Sequence, residues 1–395
     1  MPLSYHRFDP GACNFPKPRV PVLPPLSWAQ LSVKSHATQR DVRHYARGRY
    51  ALKAAYELAG VGAQGALLAP AYHCRTMLDP ALRLGAEVGL YALTSDLQTD
   101  LATVQRAAAA CAVPAKALLF THYFGLPRDI APVADWCQTQ GIALIEDCSH
   151  AMPFNGLDGD VPAHATGVGH TGRYAVSSPY KFFPCADGGL LWSPQGARLP
   201  DAPLTPPGAR QELGAVWHAA QQLLHTPAAP STAALADELH QIAVRPSTPG
   251  RDWIDDSGCG STDYQASDEA TRSLAASRWI QRHTDSALLM RKRRARYLQW
   301  VAAVAPLPGC QALLPDLPAG CTPYMFPLLV HQPSRRFYPL KHLGLPIWRW
   351  DDMAASDCAI AQRYRQGVFH LPCHQALTDG QMGWMTAAVA QAMLA

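Results

Sequence analysis

Charged residues are scarce: Asp, Glu, Lys and Arg make up 16% of the 395 positions, well under the usual ~25%. With hydrophobic residues at 48%, that balance excludes a disordered or supercharged chain and leaves material for a sizeable core. Neither sign dominates. The 34 Lys and Arg against 30 Asp and Glu give +4, and the longest basic run is Arg291-Lys292-Arg293-Arg294. So small an excess argues against nucleic acid. Inside a helical stretch, the basic run is expected to be a solvated face. Paired cysteine spacing is missing too. The 11 cysteines run from Cys13 to Cys373 without one C-x-x-C, which disfavours a disulfide framework or zinc ribbon and fits reduced thiols in the cytoplasm. No apolar run approaches the ~18 residues of a membrane span. The opening MPLSYHRFDPGACNFPKP lacks the basic and apolar regions of a secretion signal.

What is present is organised. At about 150 residues per unit, two or three globular units are expected. Residues 1–28 are rich in proline (PKPRVPVLPPLSW) and read as an extended arm, because proline removes donors and fixes φ. A helix is expected over Val42–Gly60. Beyond it, Ala66–Leu68 is a short apolar run, Met77–Leu84 a helix, Glu87–Tyr91 a strand and Leu101–Ala112 a helix. Ala117–Thr121 reads as a strand, Ile130–Gln140 as a helix, and Ile142–Ile145 as a strand ending in Glu146-Asp147. Short buried strands alternating with helices of ten or so residues indicate βαβ units and a mainly parallel sheet. The Pro- and Ala-rich segment 194–249 reads as a connecting or covering layer with helical patches at Ala209–Leu224 and Thr232–Ala243. A long helix is expected over Ser267–Ala305, broken near His283, then strands at Tyr324–Val330 and Pro346–Trp350 and terminal helices. The expected division is a large domain over 29–265 and a smaller α/β domain, with the long helix, over 266–395.

Several motifs fail on context. Gly167-Val-Gly-His-Thr-Gly172 matches G-x-G-x-x-G but precedes a strand-like run, so a turn is expected rather than a dinucleotide site. His370, Cys373 and His374 are expected to be a packed strand end, Cys148 a small buried residue, and no metal site is expected.

The stronger constellation is distributed. Ligands in parallel sheets sit beyond the carboxyl ends of the strands. Asp147 ends one strand; Lys181 follows another in SSPYKFFPCADGG, with Ser178 three positions before it. A helix opening at Gly48-Arg49-Tyr50 offers backbone N–H groups and a guanidinium for a phosphate. An amine that condenses with an aldehyde, a carboxylate that keeps a pyridine nitrogen protonated, and hydroxyl, amide and Arg groups for a phosphate together fit pyridoxal phosphate.

The chain also resembles the DegT/StrS family of pyridoxal-phosphate sugar aminotransferases from about residue 40 onward. RGRYALKAAYELAGVG resembles the family's SGTxAL helix start, and LLAPAYHCRTMLDPALRLGAEV its strand-Pro-aromatic-helix unit. ALLFTHYFGLPRDI, IALIEDCSHA, GHTGRYAVSSPYKFFPCADGGLL, and the later LGLPIWRW and VFHLPCHQALTDGQM follow in order. The resemblance implies the fold-type-I aminotransferase architecture. It makes Lys181 the cofactor lysine and proton shuttle, Asp147 the partner of the pyridine nitrogen, and His150 the neighbour of the cofactor's 3-hydroxyl. Ser178, Gly48 and Arg49 would bind its phosphate. The family's ring-stacking aromatic falls at Cys74, so Tyr72 or His73 would take over. The Asn-Tyr-Arg stretch that reaches the phosphate from a partner subunit is Asp263-Tyr264-Gln265 here, with Arg49 supplying compensating charge. The implied reaction takes an amino group from an amino acid, usually glutamate, to a nucleotide-linked keto sugar in a homodimer, with Arg75 and Arg128 as candidates for the diphosphate. A sugar dehydratase is the nearest alternative, but those relatives carry His at the position of Lys181; a non-catalytic regulatory homologue is the other.

Overall fold

The computed structural model describes residues 3–32, 41–152, 168–224, 228–244, 249–258, 261 and 263–394. The arm contributes a strand, β1 (Tyr5–Asp9). The expected helix over Val42–Gly60 is a strand, β2 (Val42–Tyr45), and then a helix, α1 (Gly48–Ala59). The reason is tertiary: Val42–Tyr45 pairs antiparallel with 189–192, and Arg47 is still extended at φ −142°, ψ 155°. Gly60, at φ 82°, ends α1 in the left-handed region, which glycine enters without steric penalty.

From there strands and helices alternate: β3 (Ala66–Pro70), α2 (Asp79–Arg83), β4 (Val88–Tyr91), α3 (Leu101–Ala110), β5 (Ala115–Thr121), α4 (Ala131–Gln140), β6 (Ala143–Asp147), β7 (Tyr174–Ser177) and β8 (Gly189–Trp192). The helix expected over Met77–Leu84 is shorter, a 3-10 turn at Arg75–Met77 followed by α2. The strands form one sheet in the order β2-β8-β7-β6-β5-β3-β4. Pairs from β4 to β7 are parallel, while β8 and β2 pair antiparallel. Side chains alternate across it. Leu67, Ala69, Leu119, Ile145 and Val176 share a core with Leu52, Ala55 and Tyr56 of α1, whereas Leu68, Leu118, Phe120 and Leu144 enter the larger core on the other face. Period-two alternation of apolar residues on both faces is what a sheet covered by helices requires.

Two helices follow, α5 (Ala209–Leu224) and α6 (Leu235–Val244). Leu235 and Leu239 of α6 enter the core, but α5 buries no residue. Strand β9 (Arg251–Asp255) pairs with β1, which also pairs with 353–354, so the arm is stitched into a three-stranded sheet. The long helix expected over Ser267–Ala305 is α7 (Ala275–His283) and α8 (Ser286–Val304). The break falls at Thr284, extended and bridged to Leu31, and Asp285 restarts the helix by accepting from Leu288 N–H at 2.8 Å. The remainder is β10 (Cys310–Ala312), β11 (Met325–Val330), α9 (Pro333–His342), β12 (Met353–Ala354), α10 (Ala359–Gly367), β13 (Val368–Pro372) and α11 (Asp379–Leu394). A second antiparallel sheet runs β10-β11-β13. The strand expected at Pro346–Trp350 is reduced to one bridge, Trp348 to His370.

The basic run on α8 is not a solvated face throughout. Arg293 is fully buried, and Arg294 donates to the carbonyls of Pro318 and Cys321 at 2.6 and 3.0 Å. Among the described residues, no helix is long and apolar enough to cross a membrane.

Burial leaves several imidazoles neutral. It pulls His44 and His73 down to about 4, His370 and His374 to about 3, and His150 well below its ordinary value. The unfolded chain binds protons at these positions below about pH 6.5 whereas the folded chain does not, so stability is lost as pH falls from about 6.5 towards 4. Thermal melts at about pH 7.5 and about pH 5 are expected to show a lower midpoint at the acid value; equal midpoints would contradict this account.

Candidate active site

The parallel register brings the chemistry to one edge of the sheet. Thr121 at the end of β5 lies beside Asp147 at the end of β6, and Asp147 lies beside Val176 of β7. Beyond these ends a crevice is lined by Arg47, Gly48, Arg49, Cys74, Thr121, Asp147, Ser149, His150, Ser178, Tyr180, Lys181 and Trp350, among others. Six of the sequence-derived residues therefore meet in one place: Gly48, Arg49, Asp147, His150, Ser178 and Lys181.

Glu146 and Asp147 illustrate how period two assigns adjacent carboxylates different tasks. Glu146 is fully buried and accepts from His122 Nε2 at 3.0 Å and from the N–H groups of Gly169, Thr171 and Gly172 at 2.8, 2.7 and 2.6 Å. Burial alone would raise its pKa, but these donors outweigh it and hold the carboxyl below its usual range. The glycines of the G-x-G-x-x-G run thus serve a carboxylate; Gly167 lies outside the described residues. Cys148 stands close enough to His122 and Glu146 to share an ion with them. Both oxygens of Glu146 are already hydrogen-bonded, however, and burial pushes the Cys148 thiol up. Asp147 points to the other face, where it lines the crevice with Oδ1 accepting from Ser149 N–H at 2.9 Å.

At the crevice floor α1 begins. Its first intrahelical acceptor, the Arg47 carbonyl, takes the N–H groups of Tyr50 and Ala51, which leaves the amides of Gly48 and Arg49 at the open N-terminus. The hydroxyls of Ser178 and Ser149, 3.1 Å apart, stand against this end. A Cβ at position 48 would collide with the Ser178 hydroxyl, so glycine keeps open a pocket of amides and hydroxyls suited to a phosphate. Gly189 has a related duty: a Cβ there would strike the Arg47 backbone and lie 2.7 Å from the Gly48 nitrogen. Ser149 was not singled out by sequence reasoning; its place two residues after a strand-end aspartate was the available signal.

Lys181 closes a 3-10 turn, Pro179–Lys181, by donating its N–H to the Ser178 carbonyl at 3.1 Å. Its Nζ lies 5.4 Å from the centre of the Tyr324 ring. His150 is buried with Nδ1 lacking a hydrogen-bond partner, and its ring is 4.6 Å from Tyr324 and 5.4 Å from Trp350. Burial first, then the charge of Lys181, keeps this imidazole neutral.

Other expectations are placed elsewhere. Tyr50 points away from the crevice lining and packs edge-on against Tyr264 at 5.4 Å. His73 is a structural residue: Nδ1 lies 3.0 Å from the Pro70 carbonyl, and Nε2 accepts from Ala354 N–H at 3.2 Å. Tyr72 packs on Trp350 at 4.7 Å and contacts His370. Neither Tyr72 nor His73 lines the crevice, whereas Cys74 and Trp350 do. Trp350 was missed because it arrives from 200 residues downstream, where no local pattern announces it. Arg75 sits over the Tyr5 ring, 3.8 Å from Asp79, and Arg128 is outside the lining as well. Asp263 meets its own α1, its carbonyl accepting from Arg49. Cys373 and His374 bond the carbonyls of Tyr324 and Pro21 and are buried at the end of β13.

Comparisons with known proteins found similarity in sequence and in fold. Residues 35–200 match the sequence model of the DegT/DnrJ/EryC1/StrS aminotransferase family. A stretch of 100 residues, 25% of the chain, is 31% identical to dTDP-4-dehydro-2,3,6-trideoxy-D-glucose 4-aminotransferase of Saccharopolyspora spinosa; it spans 24% of that protein's length. Among solved structures, the aminotransferase TlmJ from Streptoalloteichus hindustanus superposes with a TM-score of 0.56 at 19% identity, covering 89% of this chain and 86% of that one. Helicobacter pylori PseC, an aminotransferase involved in pseudoaminic acid biosynthesis, gives a TM-score of 0.60 at 12% identity over 95% and 99% of the two chains. These neighbours carry the fold-type-I architecture, a mostly parallel sheet between helices. Every crevice residue named here except Trp350 lies inside the segment that matches the DegT/DnrJ/EryC1/StrS aminotransferase family.

Proposed function

We propose that this protein is a pyridoxal-phosphate-dependent aminotransferase that moves an amino group from an amino acid, glutamate first, to a nucleotide-linked keto sugar, acting as a cytoplasmic homodimer. The observation that carries the reading is that Lys181, Asp147 and the Gly48–Ser178 pocket line one crevice. The donor set fits the group: amides and hydroxyls for a phosphate, a carboxylate, an amine, and a buried imidazole with an unsatisfied nitrogen. When bound, pyridoxal phosphate supplies an aldehyde that amines condense with, releasing water, and a ring that withdraws electrons.

The chain's own residues then have defined tasks. Gly48 and Arg49 amides with the Ser149 and Ser178 hydroxyls hold the phosphate. Asp147 holds a proton on the ring nitrogen, and its position at a strand end makes that hold rigid. His150, kept neutral by burial, would offer its unpartnered Nδ1 to the ring oxygen. Lys181 would hold the aldehyde through Nζ and, as a free amine, would accept and give back a proton at that atom. Arg47 and Arg49 put positive charge at the crevice, which favours a diphosphate-bearing acceptor. The Saccharopolyspora relative is named for a dTDP-linked 4-keto sugar, and its similarity supports the same acceptor class.

Two measurements test this. Wild-type protein loaded with pyridoxal phosphate is expected to show the absorbance of a lysine-bound cofactor and to convert to the pyridoxamine form with glutamate; Lys181→Ala should lose both. Failure of wild type to take up cofactor would remove the proposal. Gly48→Ala should fold normally but bind cofactor about ten- to a hundredfold more weakly, the scale of a lost hydrogen bond to a charged group. Unchanged affinity would place the phosphate elsewhere.

A further inference from the structure

We infer that Arg293 is a positioning residue for Lys181. The inference rests on the proposed role of Lys181 as the reacting amine. Arg293 lies on α8, is 0% exposed, and has no carboxylate partner among the described residues. Its five N–H donors meet five oxygens. Nε donates to Gln375 Oε1 at 2.8 Å, Nη1 to the carbonyls of Pro323 and Tyr324 at 3.2 and 3.0 Å, and Nη2 to the carbonyls of Lys181 and Phe182 at 2.9 and 3.3 Å. The guanidinium also lies 4.8 Å from the centre of the Phe182 ring. Burying a cation without a counter-charge is unfavourable unless its donors are fully used, and a planar fork of five donors is available only from arginine.

The oxygens it binds are not scattered. Two belong to the end of the Pro179–Lys181 turn, whose start is Ser178 of the phosphate pocket, and two belong to Pro323 and Tyr324, whose ring neighbours Lys181 Nζ. Gln375 reinforces the grip. Its Nε2 donates to the Phe182 carbonyl at 2.8 Å and to Gln30 Oε1 at 3.3 Å, so the segment just after the arm is tied to the same turn. Arg293 therefore fixes both the backbone that carries the amine and the aromatic wall beside it. Nothing in the local sequence of α8 distinguishes it from its basic neighbours.

The test measures Lys181 directly, with and without cofactor. In apo-protein, the rate of Lys181 acetylation by acetic anhydride across pH, read by peptide mass spectrometry, reports the amine's position and environment. The groups sharing its surroundings, His150, His370, Asp147, Tyr180, Tyr324 and Arg47, are unchanged in the variants. Arg293→Lys keeps the charge but loses the fork. It is expected to fold cooperatively, to displace the acetylation profile of Lys181, and to bind pyridoxal phosphate about tenfold more weakly, in line with the sensitivity of reacting groups to small misplacement. Gln375→Met, which leaves the bond from Arg293 to the Lys181 carbonyl in place, should give a smaller displacement of the same sign, and decides the matter if Arg293→Lys does not fold. A lowered melting midpoint with an unchanged acetylation profile and affinity would make Arg293 purely structural and overturn the inference. Wild-type protein whose Lys181 is acetylated normally but never takes up cofactor would instead defeat the proposed function, leaving the acetylation comparison to judge Arg293.

Discussion

A single buried guanidinium joins elements far apart in the chain. Arg293 of α8 binds the turn after β7, the segment entering β11, and Gln375 beyond β13. Removing it would strip a donor from each of five acceptors; the carbonyls of Phe182 and Tyr324 would keep Gln375 Nε2 and the Cys373 thiol, and each acceptor left buried without a donor costs about 1–3 kcal/mol. The same argument explains why so polar a network survives in an apolar core: partly satisfied it would be worse than hydrocarbon, but fully satisfied it specifies one arrangement.

The sheet applies the same logic on a smaller scale. Adjacent acids at the end of β6 point to opposite faces, one consumed by four donors and the other lining the crevice. Fixing Glu146 through His122 and the turn before β7 anchors the strand end from which Asp147 projects. The rigid half of the pair supports the reactive half.

On the side of the C-terminal sheet the crevice is lined by His150 and Trp350, with Tyr324 and His370 packed behind them. His150, Tyr324, Trp350 and His370 contact one another or Phe124 at 4.6 to 5.4 Å. The burial of His150, Tyr324 and His370 excludes water and keeps the imidazoles neutral, so Lys181 and the arginines supply the positive charge there. Water exclusion strengthens each remaining electrostatic contact, and it also makes the fold sensitive to acid.

Much of this was legible in the sequence. Alternating strands and helices dictated a parallel sheet, and strand-end placement pointed to Asp147, Ser178 and Lys181, because these are local consequences of period and of where strands stop. Val42–Tyr45 misled because its helical pattern yields to pairing with β8. Arg293 misled because a basic run has no local feature that says which member turns inward. Ser149, Trp350 and the retirement of His73 to a structural role depend on contacts between segments tens to hundreds of residues apart. Composition and periodicity thus determined the layers and the strand ends, since those follow from nearest neighbours along the chain. Which side chains face one another across the crevice was decided by tertiary packing alone, where burial drives most polar groups to find partners in distant segments.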